Sequence, residues 1–213
     1  MWSRRMSGSR CYRRRKMKDG TIKLSTVGFL TIVAALVVQR LFELRLSRLN
    51  EAHILAQGGR EHAPGHFGWM KGLHTGWFVA MAAEVLWLKR PLKPLLALCA
   101  LVFFLLGQSL RYAAIRTLGS RWTVRIMTLP GAPPVDWGIY RYLRHPNYLG
   151  VILEMAAVPL LHGAYLTSLL FSLANTLLLH VRIRAEERAL DDHNEYTAVF
   201  ARRPRLIPWW ERC

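Results

Sequence analysis

Arg144-His145-Pro146-Asn147-Tyr148-Leu149-Gly150 leads straight into an apolar stretch, and Glu186-Glu187 closes the next one. Pro146 suits the first turn of a helix, where its missing N–H costs nothing. The stretch 146–161, the turn His162-Gly163 and the stretch 164–185 therefore read as a helical hairpin. Its polar ends, the His-Pro segment and the paired acids, fall at one face of a membrane. Ionisable groups at the ends of membrane helices are costly unless they bind or react with something.

Composition extends the hairpin to the whole chain. The 213 residues are 52% hydrophobic, a little above the level of a soluble domain. That average hides strong segregation, with charge gathered in the connections. Spans are expected at about 24–46, 72–88, 91–110, 146–161 and 164–185, since about 20 apolar residues cross a bilayer. The expected fold is all-α: a polytopic membrane protein of about five transmembrane helices. Residues 24–213 form one domain, and the C-terminal hairpin and a cytoplasmic C-terminal segment form the site. Residues 1–23 form a basic tail without helical periodicity, read either as a lipid-binding arm or as sequence upstream of a start at Met17.

Charge gives the orientation. Of the 30 Lys and Arg, 18 fall on the side of the hairpin's polar ends and 12 on the other, nine of those in the tail. The positive-inside rule puts the C-terminus and the His-Pro segment in the cytoplasm. A start at Met17 removes seven tail charges and sharpens the bias. The net charge of +17 flanks apolar helices, so anionic lipid headgroups are the expected partner rather than nucleic acid. Cys11, Cys99 and Cys213 have no disulfide or zinc spacing.

The hairpin and its neighbour supply the candidate site. The free amides opening the fourth helix suit an anion, Tyr148 offers a ring and a hydroxyl, and Gly150 admits a close neighbour. By itself this segment is explained equally by a capped helix with a basic interfacial flank. Asn175, Arg182 and Glu186, spaced by 7 and 4, share one helical face. Polar residues inside an apolar run usually face the bundle interior. Glu154 is a carboxylate in mid-helix, and Gln108 and Arg111 end the third helix. An interior of Gln108, Arg111, Glu154, Asn175, Arg182 and Glu186 suits a ligand bearing both charges. For Arg111 two roles stay open: steering an ionised acceptor, or pairing with Glu154.

Several segments carry a resemblance. Gly138 to Gly150, the hairpin, Arg182-Ile183-Arg184-Ala185-Glu186-Glu187-Arg188-Ala189-Leu190, and the ending with Tyr196, Phe200 and Arg203 to Pro208 resemble the isoprenylcysteine carboxyl methyltransferase family. The likeness covers about 107–208 and implies an integral-membrane methyltransferase using S-adenosyl-L-methionine. It implies cofactor contacts at Tyr140, Arg144, His145, Pro146, Tyr148, Leu149, Glu186 and Glu187. Arg111, Glu154 and Arg182 are then the candidate catalytic residues. Arg121 to Ile126, Arg40 to Arg45 and Gly59 to His62 resemble a bacterial branch encoded beside type III polyketide synthases, which O-methylates alkylpyrones or alkylresorcinols. The implied acceptor is a lipophilic small molecule carrying a carboxylate, enol or phenol oxygen.

Two other classes stand beside this one. Membrane sterol reductases using NADPH share part of the architecture but are usually longer. A small transporter or lipid-binding protein would not need paired acids and a His-Pro-x-Tyr segment at one face. No metal site is expected: His62 and His66 are four apart beside Glu61, but Pro64 and Gly65 break the helix that would align them. His74 and His162 are expected to be structural or interfacial.

Overall fold

The structure is a computed structural model and describes residues 5–194 and 196–206. Five long or medium helices follow in chain order: α1 (Arg5–Ala56), α2 (Gly65–Leu88), α3 (Pro94–Leu118), α4 (Pro146–Leu160) and α5 (Tyr165–Asn194). A short α6 (Tyr196–Phe200) follows. The chain's last residues, including Ile207 and Pro208 of the family-like ending, lie outside the described residues.

Three helical stretches are long and apolar enough to cross a membrane: Lys23–Ala56, Pro94–Arg121 and Tyr165–Asp192. The other two expected spans are helices as well, but of different character. Helix α2 carries His74, Thr75 and Glu84 within its apolar run. Helix α4 has 15 residues, roughly 22 Å at ~1.5 Å per residue, against ~30 Å of hydrocarbon. It is a half-length helix packed among longer neighbours.

Several boundaries differ from the expectation, with α2 starting at Gly65 rather than near 72 and α5 ending at Asn194 rather than near 185, and the two at α1 matter most. The backbone is helical from Arg5, so the segment expected as an aperiodic tail is continuous with the first span. Helix α1 also runs on to Ala56 rather than ending near Leu46. Arg40 and Glu43 therefore sit within a helix instead of at its edge. The all-α expectation meets one exception: β1 (Arg60–His62) pairs antiparallel with β2 (Ile126–Thr128), in the register Arg60↔Thr128, Glu61↔Met127, His62↔Ile126. Side chains pin this ribbon. Arg125 Nη1 lies 2.6 Å from Glu61 Oε1, and His62 Nε2 lies 2.8 Å from Thr128 Oγ1.

One apolar core joins the first four helices, through Phe29, Val33 and Leu36 of α1, Trp77, Met81 and Val85 of α2, Ala100 of α3, and Met155 and Val158 of α4. Trp77 Nε1 donates to the Met155 carbonyl at 3.2 Å. Glu84 ties α2 to the start of α5: its carboxylate accepts from Thr167 N and Thr167 Oγ1, both at 2.8 Å, and from Leu166 N at 3.2 Å. A carboxylate there satisfies orphan amides and complements the helix dipole.

Helices α3 and α4 touch through glycine. A Cβ on Gly107 would stand 2.9 Å from the Gly150 carbonyl oxygen, and one on Gly150 would stand 2.7 Å from that of Gly107. Small residues let membrane helices approach this closely. The close neighbour expected at Gly150 is thus the backbone of α3. The hairpin turn between α4 and α5 is made by Gly163 at φ 73°, a left-handed conformation glycine adopts without strain.

Candidate active site

A cavity of about 320 Å³ opens between these elements, with walls from α1, α2, α3, α4, α5, α6 and the long 122–145 connection. One wall is polar and ionic. The Tyr148 hydroxyl donates to Glu186, and Arg182 Nε donates to the same hydroxyl oxygen at 2.8 Å. Arg182 Nη2 also donates to the Val124 carbonyl, tying α5 to the connection beside it. The His145 and Tyr148 rings stack at 5.4 Å. Desolvation, with the Glu186 carboxylate nearby, raises the Tyr140 phenol well above its ordinary range. Desolvation, then Glu186 and Glu187, does the same to Tyr196. Both phenols stay protonated and present donors beside an acid.

The C-terminal segment is strapped to this wall. The backbone amides of Arg144 and His145 donate to the carbonyls of Pro204 and Arg205, each at 3.0 Å. Arg205 grips Glu187 with Nε at 3.0 Å from both oxygens and Nη2 at 2.6 Å from Oε2. His145 Nε2 is 3.1 Å from Glu187 Oε1, and Arg144 Nη1 is 3.7 Å from it. This strap seats Tyr196 and Phe200 in the cavity wall.

A second ionic group lies between α1, α3 and α4. Arg40 pairs with Glu43 and Glu154; Arg111 pairs with Glu43 and stands 3.5 Å from Glu154. Gln39 and Gln108 exchange hydrogen bonds at 2.8 and 3.1 Å beside them. Two guanidiniums thus meet two carboxylates, which makes the buried group neutral overall.

The expected site residues divide on this geometry. Tyr140, Arg144, His145, Tyr148, Glu186, Arg111 and Arg182 line the cavity. Pro146, Leu149, Glu154 and Glu187 do not. Pro146 is fully buried in the first turn of α4. Leu149 and Glu187 each follow a lining residue by one position, about 100° further round the helix. Glu187 therefore meets the C-terminal strap, and Glu154 is taken up by the two arginines. The expected interior set of Gln108, Arg111, Glu154, Asn175, Arg182 and Glu186 is accordingly split into two groups.

Other lining residues escaped the sequence. Arg40 and Glu43 looked interfacial because α1 was expected to end three residues later. His74, expected to be structural or interfacial, lines the cavity. So does Trp122, buried in the irregular connection, where no periodicity points to it. Trp122 Nε1 and Asn175 Nδ2 are buried without a hydrogen-bond partner among the described residues. Buried donors left unpaired cost free energy, and both residues belong to the cavity lining.

Comparison with known proteins gives the family and the fold. A sequence model of the isoprenylcysteine carboxyl methyltransferase (ICMT) family matches residues 99–192. The uncharacterized protein YpbQ of Bacillus subtilis is 39% identical over 167 residues, covering 78% of this chain and 98% of that protein. The chain belongs to the isoprenylcysteine carboxyl methyltransferase family. The Protein-S-isoprenylcysteine O-methyltransferase of Schizosaccharomyces pombe is 32% identical over 116 residues, 51% of this chain and 49% of that one. The eukaryotic intramembrane Ras methyltransferase ICMT shares the fold at a TM-score of 0.52, with 23% identity over 70% of this chain and 54% of its own. The family match runs from α3 through most of α5, so it takes in Arg111, Tyr148, Arg182 and Glu186. The cavity walls from α1 and α2, with Arg40, Glu43 and His74, lie before it.

Proposed function

We propose that this membrane methyltransferase moves a methyl group from S-adenosyl-L-methionine to an oxygen of a lipophilic acceptor. The observation that carries this is a single cavity with two unlike walls. One holds Glu186, Tyr140, Tyr148, Arg182 and the unpaired donors of Trp122 and Asn175. The other includes Val37, Leu41, Leu44, Met70 and Phe78 of α1 and α2. Leu41 lines the cavity and is 61% exposed, so the apolar wall opens towards the helices' lipid-facing surface.

The polar wall fits the cofactor's groups. Glu186 accepts hydrogen bonds from an ammonium or a ribose diol. Arg182, Arg144 and the unpaired donors suit a carboxylate and the base. Tyr140, Tyr196 and Phe200 offer faces to the adenine and to a cation. Bound there, the cofactor supplies an electrophilic methyl carbon. The protein's part is to hold donor and acceptor in line and to exclude water. The apolar wall takes the acceptor's hydrocarbon directly from the bilayer. The sequence features shared with the alkylpyrone and alkylresorcinol branch favour a ring hydroxyl as the acceptor oxygen. The C-terminus and the polar wall face the cytoplasm of a bacterial plasma membrane, where the cofactor is made.

The test is equilibrium binding of radiolabelled S-adenosyl-L-methionine to purified protein in detergent, followed by label transfer into a lipid extract. Saturable binding and an organic-soluble labelled product are expected. NADPH binding in its place would sink the proposal in favour of a reductase.

A further inference from the structure

We propose that His74 is the base that takes the proton from the acceptor's hydroxyl group. The inference rests on the methyl-transfer function above and adds a residue to it. His74 lies on α2, outside the stretch matched by the family, and lines the cavity. Its Nδ1 is 2.9 Å from the Met70 carbonyl oxygen. A carbonyl only accepts, so Nδ1 carries the hydrogen. In the neutral ring Nε2 is then a lone pair. No described residue hydrogen-bonds Nε2, and it is not among the buried unpartnered atoms. A tautomer locked from behind, on a ring that lines the cavity and whose other nitrogen has no hydrogen-bond partner among the described residues, is the arrangement a general base needs.

The surroundings decide what it acts on. The charged groups facing the ring from other helices are Arg40 and Glu43 of α1 and Arg111 of α3. The two arginines are already matched by Glu43 and Glu154. That group is neutral overall. A hydroxyl that arrives neutral needs a base to ionise it, and Lys71, three residues before His74 on the same wall, lends positive charge to the oxygen as it ionises. In the step, the O–H proton passes to Nε2 and the oxygen forms its bond to the methyl carbon. The carbon–sulfur pair stays with sulfur, which leaves as a neutral thioether. The imidazolium returns its proton to water.

The probes are a long-chain 4-alkylphenol and a fatty acid of matching chain length. Asn at position 74 keeps a donor near the Met70 carbonyl and lacks the base. His74→Asn should lower kcat for the alkylphenol by about 10²–10⁴-fold, with cofactor affinity and thermal stability near wild type. The wild-type rate should rise with pH and level off once the imidazole is neutral, while the variant's rate should keep climbing over the higher range where the phenol ionises by itself. A second readout needs no cofactor: the bound alkylphenol's absorption should shift to the red on wild type and not on His74→Asn or His74→Gln. Wild-type transfer to the fatty acid alone, or equal rates for wild type and variant on the alkylphenol, would overturn the proposal. Loss of cofactor affinity in both variants would make His74 structural and overturn it too. Failure of the wild type to bind S-adenosyl-L-methionine would instead strike the methyl-transfer function itself.

Discussion

Glu186 and Glu187 are neighbours in sequence, yet they belong to different parts of the molecule. Glu186 lines the cavity and accepts from the Tyr148 hydroxyl. Glu187 points the other way into a clamp of Arg205, His145 and Arg144. One residue step turns a helical side chain by about 100°, and here that turn separates an acid that lines the cavity from one clamped by the C-terminal strap.

The two therefore predict different phenotypes. Glu186→Gln should weaken S-adenosyl-L-methionine binding by about tenfold or more, the equivalent of one charge-assisted hydrogen bond, and leave the melting temperature near wild type. Glu187→Gln should loosen the C-terminal strap at a cost of ~1–2 kcal/mol, kept modest because Arg205 is largely exposed and screened. Calorimetry and cofactor titration on both variants check this. A Glu187 variant with normal stability and lost binding would reverse the assignment.

Arg111 is predicted to hold the bundle together as well as line the cavity. Arg111→Ala leaves Glu43 and Glu154 with Arg40 alone. Removing one partner of a buried pair costs about 3–5 kcal/mol. Stability, cofactor affinity and methyl transfer should fall together. A variant that lost only acceptor KM or kcat would make Arg111 an acceptor-binding residue instead.

Asn175 makes the opposite prediction. Its Nδ2 is buried without a partner among the described residues. Asn175→Leu removes an unsatisfied donor, so stability should hold or rise. Ligand affinity should drop by about tenfold if a hydrogen bond to ligand is lost. Thermal unfolding with and without ligand separates the two effects. Unchanged affinity would mean that Asn175 does not touch the ligand.

Gly150→Ala should separate α3 from α4. The added carbon would stand 2.7 Å from the Gly107 carbonyl oxygen and 2.6 Å from Arg111 Cγ. Overpacking of this kind costs about 1–3 kcal/mol, and it would also displace Arg111. Reduced thermal stability together with reduced methyl transfer is expected. Full activity would show that the crossing gives way without moving the site.

Much of the fold was legible because apolar length is a one-dimensional property. The hairpin, its start at Pro146, the turn at His162-Gly163 and the polar face of Asn175, Arg182 and Glu186 all follow from spacing and helix geometry. His145, Tyr148 and Glu186 reach one cavity wall as their places at the helix ends suggest, whereas Pro146 and Glu187 do not. Where α1 ends was not. Its polar last turns look like loop by composition, because the partners that let them stay helical lie far along the chain: Asn50 donates to the Trp122 carbonyl at 2.7 Å and Ser47 Oγ accepts from Val124 N at 2.8 Å. The ribbon of β1 and β2 escaped similarly, since three-residue strands have too little pattern to show themselves.

The sequence by itself determined the class of the molecule, the order of its helices and the family, because burying apolar runs in lipid leaves the chain few alternatives. The tertiary structure decided which charges line the cavity and which only pair with one another. Arg40, Glu43, Arg111 and Glu154 come from three helices, and nothing in their spacing says that they neutralise one another. The difference between Glu186 and Glu187 depends on where the C-terminal strap crosses α5. His74 became a candidate only once α2 was seen to wall the same cavity as α5. Such roles depend on a partner's distance and direction, and those are fixed only when the helices pack.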